Sequence, residues 1–256
     1  MNTTGKIFTL ISLLGLMACQ SPTKPLDESP TSNNSDHLTA AVLWFQKGET
    51  ARLACEQSFD YAKRLLLEKI AGRDSLSKLA VVLDLDETVV DNSPYEARVI
   101  QDGKSYEPES WALWVKEANA DAIPGALDFL HFADSIGVSL FYVSNRRHEN
   151  RAFTLQNLLA LGVPQADSNT VLLRKEVSDK SARRAQVAEK HEIALLIGDQ
   201  TGDFAQDFAS AERQLKGKIV VIPNPMYGEF TRLPDSIKSA YPSLGEALKT
   251  QLNSKR

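Results

Sequence analysis

Five short apolar runs punctuate the chain, at residues 79–85, 138–143, 171–173, 193–197 and 219–222. None of them alternates apolar with polar residues, so a strand in any of these places is buried on both faces. Between them lie stretches with helical periodicity, at 126–136, 149–161, 179–191 and 203–215. Strand and helix taking turns in this way predict an α/β fold with a parallel, doubly wound sheet, Rossmann-like in its layering. No internal repeat is present.

One interval breaks the alternation. More than fifty residues separate the first two apolar runs, far more than a single crossover helix requires. Residues 91–123 therefore read as an insertion, with a helix near 108–118 that carries Trp111 and Trp114. The insertion leaves the carboxyl end of the first strand, where open α/β sheets hold their ligands, so it reads as a small, mainly helical cap over a site. Upstream, Asp36 is positioned to cap a helical region over 37–70, with Leu38, Val42, Phe45, Leu53, Phe59 and Leu66 as the expected inward residues and Gly72 closing it. Cys55 falls in this pattern as a small buried hydrophobe.

The first residues are of another kind. Lys6 precedes an apolar run over 7–17 that is too short to span a bilayer but suits an export signal. The run ends in Leu16-Met17-Ala18-Cys19, which resembles a bacterial lipobox, whose Cys is acylated and becomes the mature N-terminus. Residues 19–36 are rich in Pro, Ser, Thr and Asn and have almost nothing to bury, as expected of a flexible tether. The expectation is a signal peptide at 1–18, a lipid-anchored tether at 19–36 and a folded domain over 37–256. The protein would then sit outside the cytoplasm on the cell envelope, and Gln20 after the Cys fits outer-membrane sorting. With Cys19 acylated, Cys55 has no partner for an intramolecular disulfide, and there are no other cysteines. The net charge of −4 and the absence of a dense Lys/Arg block argue against an extended nucleic-acid partner.

The chemistry is concentrated at residues 81–88, Val-Val-Leu-Asp-Leu-Asp-Glu-Thr. Two carboxylates, Asp84 and Asp86, leave a buried strand two residues apart, so strand periodicity can aim both the same way. Paired acids at such a place are costly unless a cation or a catalytic need compensates. A strand end running into an acidic loop produces the same letters, and the Asp-x-Asp pair by itself is weak.

Asp84-Leu85-Asp86-Glu87-Thr88 resembles the first motif of the haloacid dehalogenase (HAD) superfamily. The longer run 83–95, Leu-Asp-Leu-Asp-Glu-Thr-Val-Val-Asp-Asn-Ser-Pro-Tyr, resembles the class C acid phosphatases, and more narrowly their lipoprotein e type. The resemblance extends from the lipobox to about Gly228. In Phe141-Tyr142-Val143-Ser144-Asn145-Arg146, Ser144 just past the second strand matches the family's phosphate-binding hydroxyl, with Asn145 beside it. Lys180 matches the phosphate-binding lysine, near a helix start where a bound anion is favoured. Asp199 and Asp203, in Ile197-Gly198-Asp199-Gln200-Thr201-Gly202-Asp203, match the acidic metal motif after the fourth strand.

The resemblance implies a Mg²⁺-dependent acid phosphatase acting on phosphomonoesters. It gives Mg²⁺ the ligands Asp84, the Asp86 backbone carbonyl and Asp199, with Asp203 holding a metal-bound water. Asp84 is the implied nucleophile, forming an aspartyl-phosphate, and Asp86 the implied general acid and base. Trp111 and Tyr227 match aromatics that sandwich a nucleobase in the resembling enzymes, which makes a 5′-nucleotide such as AMP or NMN the expected substrate. Plain packing is the competing reading for both rings, and Trp114 reads as packing. The segment Gly228-Glu229-Phe230 is less glycine-rich than the family's counterpart. Two other functions stay open: a HAD-type phosphotransferase, and a non-enzymatic surface lipoprotein serving binding or adhesion. Oligomeric state is open too, a dimer included.

Overall fold

The computed structural model describes residues 36–241 and 244–252. The expected signal segment, Cys19 and the tether up to residue 35 lie outside the described residues. Helices α1 (Thr39–Lys47) and α2 (Glu49–Ile70) lead into strand β1 (Leu79–Leu83). Next come β2 (Val90–Asp91), α3 (Ser93–Gln101), α4 (Pro108–Glu117) and β3 (Asp121–Ala122). The chain continues through α5 (Ala126–Ser135), β4 (Ser139–Arg147), α6 (Arg151–Ala160), β5 (Val171–Arg174), α7 (Ser181–Ala188) and β6 (Glu192–Gly198). It closes with α8 (Thr201–Phe204), α9 (Phe208–Leu215), β7 (Ile219–Val221), α10 (Asp235–Lys238) and α11 (Leu244–Lys249).

Five strands form one parallel sheet in the order β5-β4-β1-β6-β7. All five residues of β1 are buried, because alternate side chains serve opposite layers. Leu79, Val81 and Leu83 pack with Phe59 and Leu66 of α2 and with Phe129 and Leu130 of α5. Ala80 and Val82 pack with Val187 of α7 and Phe204 of α8, with Phe208 and Leu215 of α9 alongside. This double burial is why β1 has no alternation, and it makes β1 the middle of the sheet. The fold is an α/β doubly wound sheet, the kind that the resemblance to the haloacid dehalogenase superfamily implies. The order reverses at β1, whose neighbours are β4 on one side and β6 on the other, so the crevice for a ligand opens beyond its carboxyl end.

The insertion after β1 is the helix pair α3 and α4, closed at its base by a two-residue antiparallel ladder, Val90 with Ala122 and Asp91 with Asp121. Nothing in the apolar pattern announces so short a ladder.

Several expected boundaries are corrected. The helical region over 37–70 is broken at Gly48, whose N–H donates to Trp44 O at 2.8 Å while its ψ of 117° leaves the helix. A Cβ there would meet the Trp44 carbonyl oxygen at 2.5 Å, so the break is built for glycine. The break resets the helical phase: Ala51 and Cys55 turn inward, and Leu53, expected inside, is 43% exposed. β4 runs past Val143 to Arg147, so Ser144 lies within the strand rather than after it. The expected helix over 203–215 is two helices, parted by the extended Ala205 and restarted where the Asp207 carboxylate accepts the Ser210 N–H. The helix expected from 179 starts at Ser181, with Lys180 as its cap residue.

Candidate active site

The loop after β1 is folded by its own backbone. Asp84 N–H still donates to Ile197 O of β6 at 2.9 Å, and then Leu85 O accepts the N–H groups of Val89 and Val90 at 2.8 and 2.9 Å. The turn passes through Glu87 at φ +56°, a left-handed conformation unusual for a residue with a side chain. Glu87 is wholly buried and accepts the Asn92 N–H on Oε1 at 2.9 Å. Burial, with Asp86 and Asp199 adding to it, pushes its carboxyl well above the usual range.

This turn sets Asp84 among charges drawn from two other segments, the start of α7 and the turn from β6 into α8. Lys180 Nζ donates to Asp84 Oδ1 at 2.5 Å and to Asp203 Oδ1 at 2.6 Å. One oxygen from each of Asp84, Asp199 and Asp203 lies within 4.8 Å of the others. Asp203 is fixed at the start of α8, where its Oδ2 accepts the Gln200 N–H at 2.9 Å. Asp199 Oδ2 accepts from Asn224 Nδ2 at 2.8 Å. Burial would lower Lys180, but Asp84 and Asp203 outweigh it and hold the ammonium above its ordinary value. Asp84 is pushed well up by burial, then by the neighbouring carboxylates, against the pull of Lys180. Asp199 is pushed up to about 7, by burial first and Asp203 second.

Three carboxylates thus converge with one ammonium between them, and all three donors are hard oxygens. The excess negative charge and the donor chemistry fit a hard divalent cation, and the raised carboxyls mean that a metal and protons compete for the same oxygens. Asp84, Asp199 and Asp203 are the side chains able to hold it.

Asp86 belongs to a second network. Its Oδ1 accepts from Arg146 Nε at 2.8 Å and from Asn92 Nδ2 at 2.9 Å. Asn92 Oδ1 in turn accepts from Trp114 Nε1 at 2.8 Å and from Arg146 Nη2 at 3.1 Å. Asp86 Oδ2 has only a long contact from Ser144 Oγ, at 3.4 Å. Trp114 is buried, as expected of packing, yet its indole also ties the cap helix α4 to the residue that orients Asp86. Ser144 is wholly buried, and its Oγ accepts the Arg146 N–H at 3.1 Å. Asn145 faces the cavity, held by Arg183, which donates to its Oδ1 at 2.7 Å and to the Ser144 carbonyl at 2.5 Å.

A cavity of about 630 Å³ opens over these groups, lined by Asp84, Asp86, Asn145 and Lys180 from the sheet side. Trp111 of α4 and Tyr227, from the loop after β7, both line it. Trp111 also packs edge-on against Tyr95, with ring centroids 5.1 Å apart, so it serves the core and the cavity wall together. Of the expected site residues, Asp84, Lys180, Asp199 and Asp203 come together in the carboxylate cluster and Asp86 and Ser144 in the second network, with Asn145, Trp111 and Tyr227 on the cavity wall. Cys19 is outside the described residues.

Several participants, Arg183 among them, went unassigned in the sequence. Arg146 and Asn92 stand inside motifs read for other letters. Asn224 lies in a loop whose path is set by β7. Glu96 is a charged letter on α3, yet it is only 6% exposed on the cavity wall, and among the described residues its carboxylate makes no hydrogen bond or ion pair. Burial pushes it from 4.5 up to about 7. Between those two values the folded chain holds a proton that the unfolded chain has lost, so this group makes stability fall as pH rises through that window. Glu96→Gln is therefore expected to stabilise the domain by about 1–3 kcal/mol at pH near 8 and to be nearly neutral at pH near 5. Urea unfolding at the two pH values checks it; a variant less stable than wild type at the higher pH would contradict the assignment.

Comparison with known proteins agrees with this geometry. A class C acid phosphatase from Bacillus anthracis superposes with a TM-score of 0.75 and 32% identity, over 88% of this chain and 99% of that one. The class C acid phosphatase from the same organism with tungstate bound gives a TM-score of 0.73 and 30% identity, over 87% and 98%. Vegetative storage protein 2 of Arabidopsis thaliana is 27% identical over 183 residues, 69% of this chain and 64% of its own. Acid phosphatase 1 of Solanum lycopersicum is 28% identical over 180 residues, 67% of this chain and 65% of its own. The chain thus spans somewhat less than two thirds of the length of these curated relatives. The family model described as HAD superfamily, subfamily IIIB (acid phosphatase) matches residues 9–230. A match over most of the chain, on a sheet whose strand ends gather that family's acids and lysine, makes this protein a member of HAD subfamily IIIB, the acid phosphatases.

Proposed function

We propose that the protein is a Mg²⁺-dependent acid phosphatase that hydrolyses phosphomonoesters, 5′-nucleotides such as AMP and NMN among them, through a phosphorylated Asp84. One observation carries the reading: Lys180 bridges Asp84 and Asp203 at 2.5 and 2.6 Å, with Asp199 in the same cluster, at the floor of a cavity of about 630 Å³. A divalent metal held by Asp84, Asp199 and the Asp86 carbonyl, with Asp203 behind them, would neutralise charge on the phosphoryl group. Mg²⁺ suits an all-oxygen set.

Asp84 attacks phosphorus and the ester oxygen departs, which divides one difficult displacement into two easier ones. Lys180 stabilises the transferred group, with Ser144 and Asn145 supplying hydrogen bonds. Asp86 gives its proton to the leaving oxygen and afterwards takes one from the water that cleaves the acyl phosphate. Its Oδ1 is occupied by Arg146 and Asn92, so Oδ2 is the oxygen free to carry that proton. Trp111 and Tyr227 hold the base of a nucleotide between them, supported by their shared place on the cavity wall. The Bacillus anthracis relative solved with tungstate, a tetrahedral oxyanion like phosphate, is consistent with an oxyanion-binding site.

Phosphate release from p-nitrophenyl phosphate and from AMP, NMN and a sugar phosphate tests the reading. Turnover is expected with Mg²⁺ and a loss of at least about tenfold on chelation. Transfer to an added alcohol in place of water would favour the phosphotransferase, and no release from any ester would favour a binding protein. We also propose that Cys19 carries the lipid that anchors the exported enzyme to the envelope, most consistently the outer membrane. The support is the Leu-Met-Ala-Cys motif and the tether composition. Labelling with a palmitate analogue should be lost in Cys19→Ala, and label that persists would refute it.

A further inference from the structure

The ladder between β4 and β5 is irregular at the site. Ser144 is in register with Leu173, but the next pair is Arg147 with Arg174, so Asn145 and Arg146 have no opposite residue. Bulges of this kind re-aim side chains. Here the extra residues send Arg146 to Asp86 and set Arg147 beside Arg174. Two arginines in register on neighbouring strands bring like charges close and normally acquire an acidic partner. Neither has one: no hydrogen bond or ion pair to either side chain occurs among the described residues, and the nearby Asp86 is already engaged by Arg146. Both arginines line the cavity that contains Asp84 and Lys180. Tyr106, on the cap side of that cavity and largely exposed, is raised by burial and by Tyr95 while Arg174 and Arg147 pull against it, so the two arginines and this ring share the cavity mouth.

We infer that Arg147 and Arg174 form a second anion subsite, which selects phosphomonoesters whose leaving group carries another phosphate. The inference rests on the phosphatase reading for its reaction, but not for its binding. Guanidinium forks match phosphate oxygens in geometry as well as charge, and a pair on adjacent strand ends can take one phosphate between them. The transferred phosphoryl group stays with Lys180 and Asp84. The second phosphate sits at the β4–β5 rim, and the connecting moiety bridges the cavity under the cap.

The test compares adenosine 5′-phosphate with adenosine 3′,5′-bisphosphate, in wild type and in the double variant Arg147→Gln, Arg174→Gln. In wild type, kcat/KM for release of the 5′-phosphate is expected to be about tenfold higher for the bisphosphate, the advantage shrinking as salt is raised. The double variant should lose that advantage and keep wild-type turnover of p-nitrophenyl phosphate, which has no second anion. Equal kcat/KM for the two nucleotides in wild type, or a preference that survives in the double variant, overturns the subsite and leaves two solvated arginines. Calorimetric titration of the same nucleotides reads the preference without turnover. A chain that cleaves no ester but binds the bisphosphate about tenfold more tightly through these arginines would sink the phosphatase reading and retain the subsite. Equal affinities would sink the subsite.

Discussion

Asp84→Asn is expected to fold, and to release phosphate at least about a thousandfold more slowly than wild type with metal present. The amide keeps the volume of the carboxylate, and its oxygen can still accept the Lys180 ammonium that lies 2.5 Å from Asp84 Oδ1. What it lacks is the anionic oxygen that, in the proposed mechanism, attacks phosphorus and helps bind a cation. Stability should move the other way. Burial and three neighbouring acids make the Asp84 charge costly to the folded state, so removing it should leave the melting temperature in chelator unchanged or raised. The pair of measurements separates a lost nucleophile from a damaged fold. Turnover above about one per cent of wild type would end the covalent mechanism.

Lys180→Met should do the opposite in chelator. Methionine fills a similar volume but leaves Asp84 and Asp203 facing each other in a buried place without their shared cation. Breaking a buried charge pair by removing one partner costs about 3–5 kcal/mol, which urea unfolding would register as a lower midpoint. Added Mg²⁺ should recover part of the loss, because a divalent cation also neutralises the carboxylates. Activity should stay low in the recovered protein if, as proposed, the Lys180 ammonium stabilises the transferred phosphoryl group. An unchanged midpoint in chelator would mean that the carboxylates take up protons at no cost, and that Lys180 is not what holds them.

The strands and the acids were legible for a common reason. A strand buried on both faces has no room for alternation, so Leu79-Ala80-Val81-Val82-Leu83 announces itself, and charged residues directly after it stand out. Asp84 and Asp86 stand out in this way, though weakly, and it is the family resemblance that picks out Asp199. The break at Gly48 was not, because it depends on how close a Cβ would come to one carbonyl oxygen rather than on the pattern of apolar letters. Nor were the partners of Asp86. Arg146 reaches it only because β4 bulges after Ser144, and Asn92 only because the Glu87 turn brings the chain back on itself. Glu96 shows the limit most clearly, since no apolar pattern marks its helix and a glutamate gives no sign of being buried.

The position of β1 in the middle of the sheet also governs the order of assembly. Its partner on one side, β4, is made soon after it, but the residue paired with Leu83 on the other side is Ile197 of β6. While the chain between those two positions is being synthesised, β1 is a wholly apolar strand with one edge unsatisfied. That is the kind of segment that pairs with other chains. The closure that joins it to β6 spans a long loop and is slow for that reason. It is also the closure that carries Asp199 and Asp203 to Asp84. The carboxylate cluster and the protection of this apolar strand therefore arrive in one folding event, and slow passage through that event exposes the newly made protein to self-association before the site is assembled.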